Sequence, residues 1–202
     1  MRTSALEWGV AAATIPGETE SGDSYVVEAF DQGVLVAVID GLGHGVPAAE
    51  AARAAASLIC KNAGESVIKL VQQCDRQLLG TRGVVMSLAS IDTSNERVTW
   101  VGVGNVDGFL FRADLSHEST SQYLHASPGV VGARLPTLRA AVVPIAQGDT
   151  LILVTDGIRG GFNEGLSLKF SPQRIADSIL AQHRLQTDDA LVLVARLEGL
   201  NP

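Results

Sequence analysis

Acidic residues stand at four strand–loop junctions of this sequence, and their type and spacing could do chemistry. Asp40 closes the apolar run in "AVIDGLGHG" and Asp156 closes another in "LILVTDGIRGG", each followed at once by glycine. Asp23 precedes a strand-like run in "ESGDSY", and Asp188 and Asp189 precede one in "TDDALVLVAR". A lone Asp-Gly pair is ordinary turn chemistry. Two such pairs directly behind β-branched apolar strands, with acids ahead of two more strands, are hard to read as turns alone. If those strand ends meet at one edge, the carboxylates repel one another, and burying them unpaired costs stability. Few basic residues lie nearby in sequence, so a divalent cation is the economical neutraliser. Donors limited to carboxylate, backbone carbonyl and water select a hard ion, Mg²⁺ or Mn²⁺. Gly41 and Gly157 then let the backbone turn sharply and come close to an ion or a phosphate.

The elements that must position these acids are legible around them. "SYVVEAF" and "VLVAVID" read as two strands joined by a tight turn at "DQG". A helix opens near Pro47, runs through "PAAEAARAAASLICKNA" and stops at Gly64; its alanines suit close packing on a sheet. "ESVIKLVQQCDRQLL" sets Val67, Val71, Cys74 and Leu78 on one stripe, as an amphipathic helix does. Beyond "GTRG" the period changes. "VVMSLASID", "RVTWVGVG" and "DGFLFRA" read as consecutive antiparallel strands, and "LRAAVVPI" with "TLILVTD" as a second hairpin about "AQGD". Ser171 and Pro172 open a further helix, "SPQRIADSILAQHR", and "DDALVLVARLE" is a last strand. Several strands are apolar almost without interruption, so both faces are expected to be buried. The expected fold is α+β, a sandwich of two stacked antiparallel β-sheets flanked by helices, in one domain over 1–202.

Composition narrows the function. The 202 residues are 46% hydrophobic, so the chain can bury a substantial core. A net charge of −7 argues against nucleic acid or an anionic membrane as the main partner. No apolar run approaches the roughly 18 residues that span a bilayer, and the first fifteen residues, with Glu7 among them, show no leader pattern. The cytoplasm is the expected location. Cys60 and Cys74, the two cysteines, fall in helical patterns and are read as small apolar fillers rather than as a disulfide or metal pair.

In that order, "SGDSY", "VIDGLGHG", "VTDGI" and "DDALVLVAR" resemble the PPM family, the metal-dependent protein serine/threonine phosphatases, and most of all its bacterial branch of sporulation and stress-response phosphatases. The resemblance spans nearly the whole chain and takes in "GTRGVVMSLASID", "VGVGNVDGFLF" and "GDTLILVTDGI". It implies an αββα sandwich and two divalent cations, Mn²⁺ or Mg²⁺. Asp40 would bridge the two ions, the Gly41 carbonyl would bind the second, and Asp156 and Asp188 would hold the first. Asp23 would lie on the side of the second ion, mostly through water. Asp189 is the alternative to Asp188; the family motif favours the first of the pair. A shared water of lowered pKa would attack phosphorus in line, with no phosphoenzyme. The acidic flap residues that hold a third ion in larger relatives have no equivalent here, so two ions are expected. The chain's shortness within this branch implies phosphorylated STAS-domain proteins of a stressosome-like complex as partners, met by a monomer.

Other residues admit two readings. His44 could pass a proton to the leaving serine oxygen, or be a loop histidine bonded to backbone. Arg159 could bind phosphate or be solvated; Asn105 could shape the site or cap a turn. His117, His125 and His183 show no ligand spacing, and Met86, Trp8 and Trp100 read as packing residues. An inactive binding module would be expected to have lost an aspartate. A small-phosphoester hydrolase would need an insertion to enclose its ligand, so an open site favours a protein substrate, with residues 127–136 and Arg134 as first choice for contact.

Overall fold

The computed structural model describes residues 6–114 and 121–198. In chain order the elements are β1 (Leu6–Ala13), β2 (Asp23–Phe30), β3 (Gly33–Gly41), α1 (Val46–Lys61), α2 (Val67–Gln77), β4 (Val84–Asp92), β5 (Arg97–Val103), β6 (Asp107–Phe111), β7 (Ser121–Leu124), β8 (Ala141–Pro144), β9 (Thr150–Val154), α3 (Pro172–His183) and β10 (Ala190–Leu197). One sheet runs β1-β10-β9-β6-β7 and the other β2-β3-β4-β5-β8, and every pairing is antiparallel.

Three apolar layers follow from strand alternation. Val34, Val36 and Val38 of β3 meet Leu151 and Leu153 of β9 and Leu191 and Leu193 of β10 between the sheets. The intervening Leu35, Ala37 and Ile39 face Ala51, Ala55, Leu70 and Cys74 of α1 and α2. On the other outer face Ile152, Val192 and Val194 pack under Ile175 and Ile179 of α3. The αββα expectation therefore holds, and its cause is that central strands carry apolar side chains on both faces. Ser66 and Ser171 cap α2 and α3, accepting from Lys69 N–H and Arg174 N–H. Met86 and Trp100 are fully buried and Trp8 partly so.

The pairings differ from the expected hairpins. β8 pairs with β5 in one sheet, whereas β9 pairs with β10 and β6 in the other, so the turn at 146–149 crosses between sheets. β6 likewise leaves the β4–β5 ladder for β9 and β7. A local turn signal records a reversal, not which neighbour a strand then meets. β1 and β7 were not expected. β1, "LEWGVAAA", is poor in β-formers and is a strand because all eight of its residues pair with β10, from Leu6↔Leu197 to Ala13↔Ala190. Cys74 is buried as expected, but Cys60 is exposed, with its Sγ 3.1 Å from Glu28 Oε2.

Candidate metal centre

Asp40 continues the even-numbered face of β3 beyond Val38, so its carboxylate enters the space between the sheets at their edge. The β2–β3 register sets Asp23 directly opposite it. On the facing sheet Thr155 continues the Leu151–Leu153 face past the end of β9, and Asp156 follows. Asp40, Asp156 and Asp188 line one cleft of about 350 Å³ together with His44, Asn105 and Val130. Strand alternation, register and one sheet crossing thus gather acids that are more than a hundred residues apart in sequence.

These carboxylates lack compensation. Burial, with the charges of Asp23, Asp156, Asp188 and Asp189 behind it, raises the pKa of Asp40 to about 8. Asp23 rises to about 7, chiefly through burial and against the lowering effect of its bond from Thr155. Asp156 is raised too, by burial and then by Asp188, while Asn105 opposes the shift. Among the described residues no lysine or arginine ion-pairs with any of the three. No three acidic, histidine or cysteine side chains among the described residues close on a single point. The donor chemistry is entirely oxygen, negative and partly desolvated, which suits Mg²⁺ or Mn²⁺.

Asp189 differs from its neighbour Asp188. It is 3% exposed, and its two oxygens accept from Ile15 N–H and Gly22 N–H, both at 2.7 Å. The carboxylate tied into the β1–β2 connection braces the start of β2, where Asp23 sits. Asn105 donates from Nδ2 to Asp156 Oδ2 at 2.6 Å, which is the site-shaping reading rather than the turn cap. Arg159 is exposed, its N–H bonds the His183 carbonyl, and it does not line the cleft. His125 and His183 meet Tyr123 and Phe162 edge-on and do not line the cleft, and His117 lies outside the described residues.

The two glycines after the acids lie against protein backbone. A Cβ at Gly41 would fall 2.1 Å from the Ala48 carbonyl oxygen of α1, and one at Gly157 would fall 1.9 Å from the Asp189 carbonyl oxygen. Protein backbone, at the mouth of the site, is what excludes a side chain there.

Three residues escaped sequence reading. Thr155 Oγ donates to Asp23 Oδ2 at 2.8 Å and accepts from Leu191 N–H at 2.9 Å, so it ties β2 to the opposite sheet. Glu18 meets His44, and the Arg82 guanidinium lies against Gly43 on the cleft-lining loop. Only the threonine before the second Asp-Gly was a possible signal; the other two depend on loops folding back.

The family model of Stage II sporulation protein E (SpoIIE) matches residues 31–198. This chain belongs to the SpoIIE family. It is 26% identical over 188 residues to phosphoserine phosphatase RsbX of Bacillus subtilis (strain 168), covering 90% of this chain and 89% of that one. Its fold matches RsbX in complex with magnesium at a TM-score of 0.87 and 24% identity, covering 98% of each chain. A chain solved in work on the bacterial stressosome, a modular system adapted to control secondary messenger signalling, matches at 0.85 and 28% identity, over 95% of this SpoIIE-family chain and 99% of the other. The catalytic domain of the serine/threonine phosphatase PstP with two manganese ions shares the fold at 0.74 and 15% identity, over 96% and 99%.

Proposed function

We propose that residues 1–202 form one phosphatase domain that hydrolyses phosphoserine and phosphothreonine on a regulatory protein, with two divalent cations, Mn²⁺ or Mg²⁺. The single observation that carries this is the set of Asp40, Asp23 and Asp156 at one sheet edge, beside Asp188, their carboxyls all shifted upward and none paired with a lysine or arginine among the described residues. Family membership and the likeness to a phosphoserine phosphatase support it. Asp40, the Gly41 carbonyl, Asp156 and Asp188 would hold the pair, with Asp23 at its side. Asp188 is preferred to Asp189, whose oxygens are already engaged by backbone. When bound, such ions offset charge on the phosphoryl oxygens and acidify water at neutral pH. The chain supplies the rest. Asn105 orients Asp156, Thr155 holds Asp23, and His44 at the rim donates a proton to the departing serine oxygen.

The partner is a stressosome-type component, and we take it to be a phosphorylated STAS-domain protein met by a monomer in the cytoplasm. The likeness to RsbX and to a chain from the bacterial stressosome supports this. Among the described residues no helix is long and apolar enough to cross a membrane. Residues 127–136 suit substrate contact: Val130 lines the cleft, Val131 pairs with Val84 at the start of β4, and Arg134 is exposed. A folded partner adds contacts remote from the phosphate that position it. The test is hydrolysis of a phosphorylated STAS protein and of its phosphosite peptide by demetallated chain, with and without Mn²⁺ or Mg²⁺. Activity is expected only with metal, and kcat/KM is expected to be much higher on the protein and to drop in Arg134→Glu. Full turnover without metal would overturn the two-ion reading; equal efficiency on peptide and protein would overturn the dedicated partner.

A further inference from the structure

Glu18 lies in the β1–β2 connection, far in sequence from the loop that follows Asp40, yet its Oε1 sits 2.6 Å from Nδ1 of His44. With the carboxylate as the acceptor, the ring nitrogen is the donor. The other oxygen, Oε2, lies against Gly45, where a Cβ would fall 2.7 Å from it. Gly45 is the N-cap of α1, with φ 72°, and it provides no side-chain cap; the first turn of α1 carries no acid. Glu18 therefore places its negative charge at the start of α1, where a carboxylate is favoured. A histidine ring nitrogen and a helix start without an acid of its own both lie against the one carboxylate. Glu20, two residues on, is held by Arg53 of α1, which fastens the same connection to the same helix.

We propose that Glu18 is a positioning residue: it fixes the proton of His44 on Nδ1 and so leaves Nε2 to serve the substrate oxygen in the cleft. This rests on the phosphatase reading above. As water oxygen bonds to phosphorus and gives up one proton to solvent, the phosphorus–serine oxygen bond breaks and its electron pair goes to the serine oxygen. The oxygen takes the proton from Nε2 of the imidazolium. The ring is left neutral with its remaining proton on Nδ1, the tautomer whose N–H Glu18 accepts, and solvent restores the Nε2 proton. Free imidazole in a loop would divide between two tautomers and turn about its χ angles. A carboxylate on Nδ1 restricts both freedoms, as a hydrogen-bond acceptor on one ring nitrogen sets the role of the other.

The test compares Glu18→Gln, His44→Ala and the double variant on two substrates at saturating Mg²⁺: a phosphoserine peptide, whose alkoxide leaving group needs a proton, and p-nitrophenyl phosphate, whose leaving group scarcely does. Glu18→Gln is expected to lower kcat on phosphoserine about tenfold. The ratio of phosphoserine to p-nitrophenyl phosphate rates should fall at least about fivefold, the double variant being no worse than His44→Ala. Ring ¹⁵N shifts of His44 in the metal-free chain should report the Nδ1–H form, and lose that preference in Glu18→Gln. Equal losses on both substrates, additive losses in the double variant, or ring shifts that do not respond would each overturn the role of Glu18. A wild-type chain inactive on both substrates with metal would instead overturn the phosphatase reading, and the ring shifts would still decide whether Glu18 fixes the tautomer.

Discussion

Asp149 and Asp156 bracket β9, one before it and one after it, and they have opposite fates. Asp149 is 1% exposed and fully served: Arg112 Nη1 donates to it at 2.9 Å, and Ala113 N–H and Ala146 N–H donate as well. Asp156 receives one side-chain bond, from Asn105, and faces Asp40 and Asp188 across a cleft. In "GDTLILVTDG" the two aspartates look alike. The contrast teaches that a buried carboxylate with a guanidinium and backbone donors holds the fold together, whereas carboxylates gathered at a cleft with neutral donors and no cationic partner among the described residues suit a metal ion.

Exchanging the charge at each place should give the largest and most divergent effects. Asp40→Asn keeps size but removes a carboxyl whose charged form burial and its acidic neighbours disfavour, so metal-dependent turnover is expected to fall by orders of magnitude. The melting temperature of the metal-free variant should stay level or rise. Asp149→Asn takes the carboxylate charge away from Arg112 and from the N–H groups of Ala113 and Ala146 and is expected to cost about 3–5 kcal/mol in urea unfolding, with turnover per folded molecule retained. If Asp40→Asn unfolded the chain and Asp149→Asn abolished turnover in a stable one, the contrast would be reversed.

A pH series sharpens the same contrast at smaller scale. Asp40 and Asp23 hold protons in the folded chain up to about 8 and about 7, but release them near the ordinary carboxylate value once unfolded. Between about pH 4 and pH 8 the folded state thus binds more protons, and metal-free stability should decline as pH rises through that window. Asp40→Asn should flatten the decline and Asp149→Asn should leave it. Added Mg²⁺ should stabilise the chain more at pH 8 than at pH 5, because cations and protons compete for the same oxygens. Urea midpoints that rise with pH in the metal-free chain would contradict the charges assigned to the cleft.

The smallest change falls on the tie between the sheets. Thr155→Val leaves Asp23 Oδ2 and the Leu191 N–H without their partner, which is expected to cost about 1–3 kcal/mol. Mg²⁺ binding, followed by calorimetry, should weaken severalfold. Thr155→Ser should recover most of both. A valine variant with unchanged metal affinity would mean that Asp23 needs no help from the opposite sheet.

By itself the sequence determined the layers and the identity of the acids. Uninterrupted apolar strands such as "VLVAVI" and "LVLVA" require cover on both faces, and period-two alternation carries Asp40 onto the face it shares with Val36 and Val38. Local chemistry likewise announced the cap at Ser171 and the turns that follow Asp40 and Asp156. Tertiary structure alone decided which strands pair. It put β8 and β9 in different sheets and made a strand of "LEWGVAAA" by laying it along β10. It also separated Asp188 from Asp189, adjacent and identical in kind, by offering one of them the N–H groups of Ile15 and Gly22. The physical reason is common to these cases. Burial pattern and capping are properties of a segment and its own neighbours, whereas a hydrogen-bond partner, and hence the charge state and role of an acid, is supplied by whichever distant backbone or side chain the fold brings within about 3 Å.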